Sequence, residues 1–114
     1  MENCIFCKIA KHEIPSQVVY EDDKIIAFKD LNPAAPVHVL IIPKKHISGI
    51  AAITADDNAL VGEIMQVIRR LAAEASVADD GFRIVANQGL AAGQSVPHLH
   101  FHLLGGRKMN WPPG

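Results

Sequence analysis

The apolar positions along this chain switch between two spacings. Residues 4–10, Cys-Ile-Phe-Cys-Lys-Ile-Ala, form a short apolar run that predicts a helical turn or two, ended before Pro15 because the residue ahead of a proline avoids helical backbone. Residues 18–20 and 25–28, separated by the polar turn Glu21-Asp22-Asp23-Lys24, predict a hairpin, and a third strand runs over 38–42 and stops at Pro43. The spacing then lengthens. Thr54-Ala55-Asp56-Asp57 has the pattern of a capping box, and Leu60, Ile64, Ile68, Leu71 and Ala75 follow at helical intervals, predicting one long helix to about Val77. A fourth strand is expected over 82–87, a glycine-containing loop over 88–95 and a fifth strand over 98–104. The order is short helix, three strands, long helix, two strands. Hairpin-length links make the sheet mainly antiparallel, so the expected class is α+β, with about five strands.

Composition narrows the setting. With 114 residues, 49% of them apolar, the chain can close one core, and no linker divides it, so residues 1–114 are expected to form a single domain. A net charge of −1 and the lack of a long basic run give no support for nucleic-acid binding. The longest wholly apolar run, Val39-Leu40-Ile41-Ile42, is far too short to span a bilayer, and the N-terminal residues lack a secretory pattern. These features predict a cytoplasmic protein with no membrane association.

Candidate chemistry lies in the histidines and cysteines. In a strand, His98, His100 and His102 share one face and Leu99, Phe101 and Leu103 the other, so one face packs and one is left for chemistry. Three imidazoles on a strand face can also bind zinc, and the triplet alone leaves both readings open. Cys4 and Cys7, spaced Cys-x-x-Cys outside a secretory context, point to metal or redox chemistry, against the plainer reading of two small buried residues. His38, at the start of an apolar strand, reads on its own as a satisfied core histidine.

His98-Leu99-His100-Phe101-His102-Leu103-Leu104 resembles the His-x-His-x-His-x-x signature of the histidine-triad superfamily. Gly105-Gly106-Arg107 and Trp111-Pro112-Pro113-Gly114 are similar to its Hint branch, and the likeness extends over residues 5–9, residues 27–47, including Pro36-Val37-His38 and Ile42-Pro43-Lys44-Lys45-His46, and residues 87–97. The resemblance implies a hydrolase of purine nucleoside phosphoramidates acting by two displacements at phosphorus. His100 would be the nucleophile, and His102 with Gly93, Gln94 and Ser95 would cradle the phosphate, Ser95 facing the leaving nitrogen. His38 would orient His100 or relay a proton. Asp30 would hold the ribose, Ile5, Phe6, Ile9, Phe28 and Leu31 would form the base slot, and Asn87 would bond the sugar-phosphate. The resemblance also implies a structural zinc on Cys4, Cys7, His46 and His98, although familiar animal Hint sequences lack the cysteine pair. It further implies a homodimer in which Trp111, in the tail over 105–114, reaches the partner subunit's site.

Three alternatives accompany this reading. Another nucleotidyl hydrolase of the superfamily would cleave dinucleoside polyphosphates, a choice the Trp-Pro-Pro-Gly ending disfavours. A nucleotide- or partner-binding protein would keep the fold without turnover. A metalloenzyme would use zinc to activate water.

Overall fold

A computed structural model describes residues 3–114. Strands β1 (Val18–Glu21), β2 (Ile25–Lys29), β3 (Val37–Pro43), β4 (Phe82–Val85) and β5 (Phe101–Gly105) form one sheet in the order β1-β2-β3-β5-β4. Every pairing is antiparallel. Helix α1 (Ile5–Ala10) precedes the sheet, and helix α2 (Asn58–Glu74) lies between β3 and β4. This is the α+β arrangement expected from the pattern.

The two faces of the sheet serve different purposes. Ile25, Ala27, Val39, Ile41, Leu99, Phe101 and Leu103 are buried against Ile64, Val67, Ile68, Leu71 and Ala72 of α2. The alternate residues Ile26, Phe28, Leu40 and Ile42 are buried against Cys4, Phe6, Cys7, Ile9 and Ala10 at α1. Residues one apart on a strand thus belong to separate cores. Because His102 stands opposite Leu40 across the β3–β5 ladder, the histidine face is the α1 face.

Both ends of α2 are set by local chemistry. Thr54 and Asp57 form the expected capping box, but the turn they open is a 3-10 turn over Ala55–Asp57, and α2 proper starts at Asn58. The Asp57 carboxylate, 3% exposed, accepts from the Thr54 amide and from the Lys45 ammonium. These bonds, Lys45 foremost, hold its pKa below the usual carboxylate value. At the other end, Val77 N–H bonds the Ala72 carbonyl and Ser76 N–H bonds Ala73, with Ser76 at φ +60°. This is a Schellman closure, and it ends the helix at Glu74, short of Val77.

The last strand also starts later than expected, at Phe101 instead of His98. Carrying the β3–β5 register back from Ile41 opposite Phe101 would set Leu99 opposite Pro43, which has no N–H to contribute. The chain instead turns after Pro97: His98 N–H bonds the Val96 carbonyl and Leu99 N–H bonds the Ile47 carbonyl. β4 ends at Val85, opposite His102, and Asn87 lies past the ladder. Among the described residues, no helix is long and apolar enough to cross a membrane.

Candidate active site

Though residues 98–100 lie outside the ladder, they keep its alternation. Leu99 points into the α2 core, while the rings of His98 and His100 both meet the edge of Phe6 on α1, at centroid distances of 6.0 and 5.1 Å. His100 and His102 follow in the same row, 5.1 Å apart.

His100 is 4% exposed, and its Nδ1 lies 2.7 Å from the carbonyl oxygen of His98. A carbonyl can only accept, so His100 Nδ1 carries a proton, and in the neutral ring Nε2 keeps its lone pair. A neutral imidazole in that tautomer has the nucleophilic nitrogen directed away from its own backbone.

His102 is set by a chain of partners rather than by a carbonyl. The Ala34 amide donates to His38 Nδ1 at 3.0 Å, so in neutral His38 the proton is on Nε2. That Nε2–H lies 2.9 Å from His102 Nδ1 and 3.4 Å from Asp30 Oδ2. Where it donates to His102, the proton of His102 is on Nε2, making a hydrogen-bond donor of its free side. Burial, with His100 and His38 nearby, pushes the His102 pKa down to about 4, so the ring is neutral at ordinary pH. Asp30, His38 and His102 also have the donor types of a two-histidine, one-carboxylate metal site. The Ala34 N–H argues against that use, because it keeps the proton on the His38 nitrogen that a metal would need.

A second cluster forms where α1 meets the sheet. Cys4 Sγ is 3.3 Å and Cys7 Sγ 3.5 Å from His98 Nδ1, and Cys7 Sγ is 3.2 Å from His46 Nδ1. Tetrahedral zinc, with bonds of about 2.3 Å to sulfur and about 2.0 Å to nitrogen, sets sulfur and nitrogen roughly 3.6 Å apart. The spacing of the cluster fits. Orientation fits too: His98 donates Nε2–H to the Pro43 carbonyl at 2.8 Å, which leaves Nδ1 as the ligand nitrogen. Burial pushes the Cys7 thiol up, with Cys4 adding to the rise, and burial holds His98 down. The donor set therefore matches a Cys₂His₂ site, one that draws on α1, the segment after β3 and the segment before β5.

The loop before the histidine row is built by Gln94, whose side chain accepts from Gly89 N–H and donates to the carbonyls of Ser48 and Val96. Gly93 sits at φ +86°, a conformation that favours glycine, and both Gly93 and Ser95 are exposed. Of the apolar slot, Phe6, Ile9 and Phe28 form a buried floor, with Phe6 and Phe28 edge to face at 5.6 Å. Ile5 is 47% and Leu31 86% exposed, so these two stand at the rim. Asn87 is half-buried beyond β4. A cleft of about 680 Å³ meets this region at Asp30, Leu31 and His38 but runs toward Val39 and Leu71 on the α2 side, so His100 and His102 lie outside it.

Sequence reasoning did not find the groups that orient the rings: the carbonyls of Pro43 and His98 and the amide of Ala34. Backbone groups leave no residue-type signal. The interior bonding of Gln94 was equally hidden, since a surface glutamine and a loop-bracing one read alike.

A family model described as the HIT domain matches residues 11–109. The chain is 50% identical to a 14 kDa zinc-binding protein of Zea mays, over 96% of this chain and 87% of that one. It superposes with a TM-score of 0.97 on the crystal structure of a HIT family hydrolase from Legionella pneumophila, at 51% identity over 98% of this chain and all of that one (100%). A histidine triad nucleotide-binding protein from Candida albicans superposes with a TM-score of 0.81 at 36% identity, covering 96% and 83% of the two chains. The histidine row, the sheet that carries it and these likenesses agree: the chain belongs to the HIT domain family.

Proposed function

We propose that this protein hydrolyses the P–N bond of purine nucleoside 5′-phosphoramidates, of the AMP-amide or AMP-lysine kind, through a nucleotidyl intermediate on His100. The observation that carries the reading is the 2.7 Å bond from His100 Nδ1–H to the His98 carbonyl, which in the neutral ring leaves Nε2 as the nucleophilic nitrogen beside His102, a ring that can donate. The hydrolase and nucleotide-binding descriptions of the Legionella and Candida structures support it.

In the first step His100 Nε2 forms a bond to the α-phosphorus as the P–N bond breaks. The leaving nitrogen takes up a proton, relayed from solvent by the Ser95 hydroxyl, and departs as a neutral amine. In the second step water attacks the same phosphorus, the His100–phosphorus bond breaks, and the proton released from water restores the one consumed. The products are an amine and a nucleoside monophosphate. Throughout, His102 Nε2–H and the loop amides around Gly93 bond the equatorial oxygens, where charge accumulates. Asp30 takes the ribose hydroxyls, Asn87 bonds the sugar-phosphate, and the base lies over Phe6, Ile9 and Phe28 between Ile5 and Leu31.

Cys4, Cys7, His46 and His98 would hold a structural Zn²⁺, which supplies cross-linking of α1 to the sheet and takes no part in the displacements. The Zea mays relative's description as zinc-binding supports this. We further infer a homodimer. The tail is anchored where Arg83 donates to the Asn110 carbonyl and Arg107 to the Ala34 carbonyl, yet Trp111 stays 81% exposed, presented for the partner subunit's site.

Three outcomes test these points. His100→Ala abolishes phosphoramidate hydrolysis while calorimetry still detects nucleoside monophosphate binding; retained turnover overturns the assignment. Chelation of the zinc-loaded protein, or Cys4→Ser, lowers the melting temperature by roughly 10 °C, as expected for loss of a few kcal/mol. Loss of rate with the melting temperature unchanged would make the metal catalytic instead. Deletion of residues 109–114 changes selectivity among amine leaving groups in steady-state assays, and unchanged selectivity excludes the role given to Trp111.

A further inference from the structure

His38 Nε2 is hydrogen-bonded to His102 Nδ1, and Asp30 Oδ2 stands within ion-pair range of the same nitrogen, a second acceptor that a small turn of the ring or carboxylate would engage. His102 Nδ1 is nearer, at 2.9 Å, while Asp30 Oδ2, at 3.4 Å, carries the negative charge that makes the stronger acceptor. The choice has a chemical consequence. Donated to His102, the proton forces His102 into the Nε2–H tautomer, a donor toward phosphate. Donated to Asp30, it frees His102 Nδ1 to hold its own proton, and Nε2 then turns a lone pair toward the phosphate oxygens.

The backbone keeps this competition in place. Asp30 N–H bonds the His38 carbonyl at 3.0 Å, and Asp30 Oδ1 is occupied by the Asn32 amide at 2.8 Å. Oδ2 has no backbone partner of this kind, and it is the oxygen facing His38. His38 is 6% and Asp30 21% exposed at the side chain, so the pair is shielded, yet reachable from the carboxylate side.

We propose that a ribose hydroxyl acts as a switch at this junction: by donating to Asp30 Oδ2 it withdraws the carboxylate from His38, which then commits its proton to His102 and sets the phosphate-binding tautomer. The proposal rests on the nucleotide-hydrolase reading above and deepens it. Asp30 and His38 are positioning residues here. The sugar hydroxyls contribute to turnover as well as to affinity, and the enzyme discriminates against substrates that lack them at the chemical step.

The test is nitrogen NMR of the zinc-loaded full chain labelled with 15N-histidine, titrated separately with AMP, 2′,3′-dideoxy-AMP and inorganic phosphate. AMP should move His102 to a pure Nε2–H pattern, while dideoxy-AMP and phosphate leave it mixed. Identical His102 patterns with saturating AMP and dideoxy-AMP overturn the switch while leaving the nucleotide reading intact. No response of any site histidine to AMP overturns both. Kinetics supply a second readout. Dideoxy phosphoramidate should lose about tenfold in kcat against its ribose counterpart, beyond any change in KM. In Asp30→Asn, which keeps an oxygen for the Asn32 amide but no anionic competitor, the two substrates should converge in kcat. A loss confined to KM would reduce Asp30 to a binding group and refute the proposal.

Discussion

His98 and His100 each have one nitrogen committed to a backbone carbonyl, which leaves the other for chemistry, and His102 takes its partner from His38. His98 gives Nε2–H to the Pro43 carbonyl and turns Nδ1 to the cysteines; His100 gives Nδ1–H to the His98 carbonyl and keeps a free Nε2. His102 receives at Nδ1 from His38, which the Ala34 amide has already oriented. Three identical side chains at alternate positions thus meet three different sets of partners, the basis of the three roles proposed for them. A protein interior can enforce such a choice because an unpaired buried N–H or lone pair costs on the order of 1–3 kcal/mol.

The sheet supplies the partners. Pro43 closes β3, blocks the ladder at Leu99 and offers its carbonyl to His98, so one residue both frees the segment before β5 and fixes the first ring. Phe6 spans the next junction. It makes T-shaped contacts with both His98 and His100, on the same helix that carries Cys7 and is capped by Cys4. The proposed zinc ligands and the proposed nucleophile are therefore built on shared elements: the ring of His98 belongs to one group and its carbonyl orients the other.

Much of this was legible in the residue pattern. Alternation placed Leu99, Phe101 and Leu103 in one core and the histidines opposite, and Thr54 with Asp57 marked the start of the long helix. Cys4, Cys7, His46 and His98, separated by up to 94 positions, were grouped only by resemblance, and their atoms come within 4.8 Å. What was illegible had physical causes. The late start of β5 depends on which β3 residue faces Leu99, a register that pattern alone does not fix, and the cut at Glu74 depends on Ser76 taking a conformation usually left to glycine. The orienting groups are backbone atoms, common to every residue. The finding that Ile5 and Leu31 stand exposed while Phe6, Ile9 and Phe28 are buried follows from packing depth, which apolar identity does not encode.

The central claim is that His100 Nε2 bonds to phosphorus during turnover. Its most direct test is mass spectrometry of the protein acid- or base-quenched within one turnover of a nucleoside phosphoramidate. A nucleotidyl mass on the peptide carrying His100 is the result expected, with the adduct lost on incubation as nucleoside monophosphate appears. Product formed in a burst with no adduct on any histidine, under a quench that preserves phosphoramidate bonds, would contradict the account and assign the displacement to water.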